Sequence, residues 1–188
     1  MKAISKSLKK NDPNHLNLGI RYGYIEQLDD ELLRISKESF DALSFNYYAL
    51  SPDHEKMNHA LEISGLQMII GEYHFGTVDR GLAQSLWQVN SQKERGDAFR
   101  YYTENAFAHR GLIGTGWFRW IDQNINGRTD GENYNCGFID VTDRPYPYMV
   151  DAAIEAAKSL YEIHSGTKTP FHQAPNAVGH SPIPDLWE

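Results

Sequence analysis

An alternation of two hydrophobic periods constrains this chain more than any other feature. Short apolar stretches at about 16–24, 42–48, 66–73 and 112–120 are separated by segments with helical spacing at 29–39, 54–64, 92–108 and 148–164. A further amphipathic helix is predicted over 2–10, stopped near Asn11-Asp12-Pro13. Asp29 or Asp30 precedes one helix as an N-cap, and Gly65 follows another as its stop. Strands that alternate with helices of this length call for a parallel sheet with helical crossovers. The strands are mostly apolar along their length, as when both sheet faces are covered.

Two architectures satisfy that order: an open doubly wound sheet, or part of a (β/α)8 barrel. No G-x-G-x-x-G follows the first strand, which removes the main reason to choose a dinucleotide-binding sheet. A whole barrel needs eight strands and about 250 residues. The 188 residues here supply half of the strands.

Composition excludes several classes. With 18 basic against 25 acidic residues the formal charge is −7, the wrong sign for a nucleic-acid surface. No apolar run approaches the roughly 20 residues of a membrane span. The N-terminal stretch is basic but has no apolar h-region, so no signal peptide is read. The one cysteine, Cys136, excludes an internal disulfide and is expected to be a small buried residue. Aromatic residues make up 12%, which suits either a large core or a surface that stacks on sugars.

In parallel α/β folds the functional groups collect where strands end and loops begin. The first strand ends near Arg21, the second at Asn46, Tyr47 and Tyr48, the third at Glu72 and His74. The fourth ends at Trp117, with Asp122 and Gln123 just beyond. Glu72 follows Met68-Ile69-Ile70-Gly71, where an acid is costly unless it is hydrogen-bonded, paired or used. A salt bridge to Arg21 or Arg80 would satisfy it. A tyrosine and a tryptophan on the neighbouring strand ends tip the reading toward a site. His74 is read as a partner for a substrate hydroxyl. It has no second His or Cys at ligand spacing, so neither a metal nor another cofactor is called for. The loop 130–138 lacks the spacing of a calcium loop.

The stretch I-I-G-E-Y-H-F-G-T-V-D-R-G (69–81) resembles the nucleophile segment of β-agarases of glycoside hydrolase family 50. So do the stretches 12–22, 41–48, 116–123 and 127–147, in the same order and spacing from about residue 3 to residue 164. The resemblance implies a partial TIM barrel, a (β/α)4 half barrel over residues 1–165 whose strands are the fifth to eighth. Residues 166–188 are expected to form an irregular tail.

In that frame Glu72 is the nucleophile and Tyr48 its support. Arg21, Asn46, His74, Trp117, Asp122 and Gln123 contact substrate, with Trp117 as the sugar platform. The family commonly shows His-Trp-Phe-Gln where this chain has Gly116-Trp117-Phe118-Arg119. The family's acid/base glutamate ends the fourth strand, before the first residue here.

The implied activity is retaining hydrolysis of β-1,4-galactosidic links in agarose-type galactans, silent until an N-terminal half barrel completes the site. Self-association is the other way to complete the cylinder. It would bring a second Trp117, not a carboxylate, to the fourth-strand place. The alternative function is a non-catalytic carbohydrate-binding or pseudoenzyme module. For a full-length relative the family implies a secreted or periplasmic bacterial enzyme.

Overall fold

The computed structural model describes residues 1–179. Its elements run α1 (Lys2–Asn11), β1 (Arg21–Tyr22), α2 (Asp30–Lys37), β2 (Leu43–Asn46), α3 (His54–Ser64) and β3 (Met68–Tyr73). They continue with β4 (Trp87–Gln88), α4 (Gln92–Phe107), β5 (Leu112–Trp117), α5 (Pro147–His164) and β6 (Val178–Gly179). The helix starts follow local chemistry. The Asp29 carboxylate accepts from the Leu32 N–H, Asp53 from Glu55 and Lys56, and Ser91 from Glu94. Pro147 opens α5, where a missing N–H costs nothing. Gly65, at φ +67°, closes α3 in the left-handed region.

The strands β1, β2, β3 and β5 form one four-stranded sheet in that order, and every pairing is parallel. The fold is therefore α/β with a parallel sheet and helical crossovers, as expected for a segment of a barrel. Leu43, Phe45, Met68, Ile70 and Leu112 have no exposed surface, and they share one core with Leu33, Met57 and Met149 from the helices. Each such side chain contributes about 1.5–3 kcal/mol of apolar transfer. The opposite face differs from expectation. Ser44, Ile69 and Gly114 on that face are only partly buried, so the cover is one-sided.

The first strand is shorter than the predicted 16–24. Gly19 sits at φ +75°, which ends the extended run. A side chain there would also strike the Phe40 ring, 2.6 Å from an ideal Cβ. Leu16, Leu18 and Ile20, at alternate positions, are left 71%, 44% and 48% exposed. Asn17 is tied instead to Ser39 O and to the Asp41 carboxylate. The fourth predicted strand ends at Trp117 rather than at 120.

Beyond α5 the chain folds back on α4. The Phe171 N–H donates to Glu104 Oε2 at 2.7 Å, and the Arg100 guanidinium lies 4.7 Å from the Phe171 ring centre. β6 then pairs antiparallel with β4.

The long segment after β5 is irregular in backbone but anchored by a buried polar network. Arg95 of α4 is fully buried; its Nη1 donates to Asn135 Oδ1 at 2.7 Å and its Nη2 to the Gly137 carbonyl. Asp122 accepts from the Gly137 N–H at 2.7 Å, from Asn135 Nδ2 and from the Tyr146 hydroxyl at 2.6 Å. Arg95 also lies over the Tyr146 ring at 4.5 Å. Cys136 is enclosed here, and burial, with Asp122 nearby, pushes its thiol up to about 12.

Candidate active site

The C-terminal ends of the parallel strands open into a polar cleft of about 410 Å³. Arg21 of β1, Asn46 and Tyr48 at the end of β2, and Glu72 and His74 at the end of β3 all line it. The sequence singled out these five, and the fold brings them together because parallel strands end on the same side.

Glu72 is the centre of the arrangement. Arg21 Nη1 donates to Glu72 Oε1 at 2.8 Å. Asn46 Nδ2 and the Tyr48 hydroxyl donate to Oε2 at 3.0 and 2.9 Å. Three donors on one carboxyl group match the anion, because an ionised carboxylate only accepts. Burial first, then the Glu72 charge, pushes the Tyr48 hydroxyl far above its ordinary value, so it stays a donor.

Local backbone makes this geometry possible. The β2–β3 register shifts between Phe45 and Asn46, and Asn46 comes to lie beside Glu72. A methyl group at Gly71 would collide with the Arg21 side chain, so glycine lets Arg21 lie across the sheet.

His74 is placed in the cleft wall but is fully engaged by backbone. The Leu86 N–H donates to Nε2 at 3.1 Å, which puts the ring proton on Nδ1, 3.2 Å from the Phe118 carbonyl. Burial lowers its pKa to about 3, so the ring is neutral. Its ring meets the Tyr48 ring edge-on at 5.0 Å. His74 thus braces Tyr48 and has no ring nitrogen left over for a sugar hydroxyl.

Trp117, Asp122 and Gln123 do not line this cleft. Trp117 turns to the helix side: its Nε1 donates to Cys136 O at 2.7 Å and its ring packs edge-on against Tyr73 and Phe99. The register irregularity between Ile70 and Tyr73 accompanies this placement. The adjacent Phe118 faces the cleft instead. Asp122 is 4% exposed and spent in the Arg95 network. Gln123 is 1% exposed and acts behind the wall, donating to Glu132 Oε2 at 2.7 Å. The glycine found where the family commonly has histidine also has a packing reason. An ideal Cβ at Gly116 lies 2.7 Å from the Gly71 carbonyl oxygen.

Sequence reasoning missed Tyr24, Phe118, Arg128 and Glu132, all of which line the cleft. Burial and then the charges of Glu72 and Glu132 raise the Tyr24 hydroxyl. Tyr24 was legible as the end of the predicted first strand. Arg128 and Glu132 come from the loop after β5, and no period along the chain says where that loop returns. Among the described residues no group of three or more His, Cys, Asp or Glu side chains is gathered to hold a metal ion.

No protein-family model matches the chain. Over 165 residues, 84% of its length, it is 36% identical to Beta-agarase A of Vibrio sp. (strain JT0107). It is 34% identical to Beta-agarase B of the same organism over a stretch of the same length. The chain spans 16% and 17% of these two relatives. Among solved structures, PfGH50B superposes with a TM-score of 0.80 at 36% identity, over 86% of this chain and 24% of that one. An exo-beta-agarase gives 0.80 at 34% identity, over 88% and 22%.

Proposed function

We propose that this chain, a homologue of a segment of the β-agarases of glycoside hydrolase family 50, carries the nucleophile half of a retaining galactanase site. Its strands β1, β2, β3 and β5 correspond, in this reading, to the fifth through eighth of the complete barrel. The observation that carries the reading is the carboxylate of Glu72 at the mouth of the sheet, held by Arg21, Asn46 and Tyr48.

Retaining hydrolysis uses two carboxyl groups about 5–5.5 Å apart. Glu72 attacks the anomeric carbon and forms the glycosyl-enzyme bond as the leaving oxygen departs with a proton. Water then cleaves that bond, and the proton donor acts in reverse as the base. The three donors fix the carboxylate so that an oxygen faces the sugar, which lowers the cost of reaching attack geometry. Phe118 offers an apolar ring in the same wall. The proton donor belongs to the fourth strand of the barrel and is expected from residues outside these 188. The substrate class is a β-1,4-linked agarose-type galactan.

Mixing the chain with an N-terminal half barrel of the family and following reducing ends released from agarose tests this. Turnover that requires both halves and disappears in Glu72→Gln is the expected result. Turnover that survives Glu72→Gln removes the role given to Glu72. A completed barrel that binds agaro-oligosaccharides without cleaving them selects the binding-module alternative.

A further inference from the structure

We propose that Glu132 and Arg128 form a subsite in the cleft that takes hydroxyl groups of a neutral sugar and disfavours a sulfate-esterified one. This rests on the reading of the cleft as a galactan site and deepens it.

Both side chains line the same cavity as Glu72, yet both come from the loop between β5 and α5. Glu132 is tied from behind. The nearly fully buried Gln123 donates to Oε2 at 2.7 Å and is itself fixed by accepting from the Tyr134 N–H at 2.6 Å. Arg128 Nη2 stands 3.4 Å from the same Oε2. The Arg128 N–H closes the loop on the Glu132 carbonyl at 2.9 Å. Both side-chain contacts fall on Oε2.

A carboxylate accepts from hydroxyls, and a neighbouring guanidinium donates to hydroxyl or ring oxygens. The pair therefore suits two adjacent oxygens of an uncharged sugar. A guanidinium partner also suits a binding carboxylate rather than a proton donor, so Glu132 is a specificity-determining residue and not the missing acid. Arg128 is further engaged by Asp130, outside the cleft wall, so its charge is already matched and offers a sulfate little. Glu132 would meet that sulfate as a like charge.

The test titrates the chain with a neutral agaro-oligosaccharide and with a sulfated galactan oligosaccharide of equal length, by calorimetry. Glu132→Gln is expected to shrink the preference for the neutral sugar about tenfold, the scale of one charged hydrogen bond. Arg128→Met, which unshields Glu132, is expected to increase that preference and serves if Glu132→Gln does not fold. Unchanged preference in the folded variants overturns the proposal, as does a wild-type chain that binds both sugars alike or neither. The hydrolysis assay on the completed barrel is decided by Glu72 and judges the parent reading separately.

Discussion

Arg21 and Glu72 form an ion pair at 2.8 Å although their strands are not neighbours. Arg21 opens the two-residue β1, Glu72 lies one residue before the end of β3, and β2 lies between them. The arginine reaches over the sheet surface, crossing Gly71 beside Asn46. Its side chain stays 52% exposed while that of Glu72 is 17% exposed. Such a pair adds little to stability, because the exposed partner is solvated and screened. Its consequence is orientation of the carboxylate.

Gly71→Ala should therefore behave as an Arg21 variant. The added methyl group occupies the path of the Arg21 side chain, and the pair with Glu72 is displaced. Turnover of the completed barrel is expected to fall about tenfold, with a loss of about 1 kcal/mol in stability from overpacking. Arg21→Lys should match the activity loss without the stability loss. Urea unfolding and initial rates on the two variants separate the effects.

Glu72→Gln is expected to keep the fold and lose at least ~10⁴-fold in rate, since an amide cannot form the glycosyl-enzyme bond. Tyr48→Phe removes one of three donors and is expected to cost about tenfold. The order of these effects, read from initial rates at saturating agaro-oligosaccharide, checks the roles. A larger loss in Tyr48→Phe than in Glu72→Gln would reverse them.

The strand-end half of the site was readable in the sequence because parallel strands put their C-terminal ends on one side. Asn46, Tyr48, Glu72 and His74 follow from that rule alone, whereas Arg21 opens β1 and reaches the site along its side chain over Gly71. Facing was not readable at Trp117, where a register shift sits beside the strand end and puts Phe118 in the wall instead. The residues 122–147 were legible as a loop, but not as a loop with a buried interior. Asp122, Asn135 and Arg95 lie 13 and 40 positions apart along the chain and are drawn together by α4 packing under the segment. No local pattern encodes contacts at that separation. Gly19 shortened the first strand for a reason visible in the sequence only as one glycine inside an alternating run.

Two buried histidines are expected to weaken the fold in acid. Burial lowers His74 to about 3 and His109 to about 4, from an ordinary value of 6.5. His109 is further lowered by His54, Arg110 and His164. In both cases the unfolded chain takes up a proton before the folded one does. Stability is therefore full above the unfolded value of 6.5 and is lost as the pH falls toward 4 and 3. Between pH 7 and pH 5 each histidine is expected to remove about 2 kcal/mol. Urea midpoints at the two pH values measure the sum. His109→Gln should flatten the dependence by about half.

Asp122 provides the sharpest contrast between a substrate-binding and a structural reading of a strand-end acid. Its carboxylate accepts from the Gly137 N–H, the Asn135 side chain and the Tyr146 hydroxyl, all in the buried layer beneath the loop. Asp122→Ala leaves those donors unmatched and removes the negative charge that acts most strongly on the buried Arg95. Breaking one partner of such a buried charged network costs about 3–5 kcal/mol. Tyr146→Phe removes a single hydrogen bond of the same set, at about 1–2 kcal/mol. If Asp122 acts through the fold, the two variants lower the unfolding midpoint in that order. Agaro-oligosaccharide affinity of the folded fraction at low temperature then stays within about threefold of the parent chain. A variant that unfolds like the parent but loses affinity more than about tenfold would return Asp122 to the sugar.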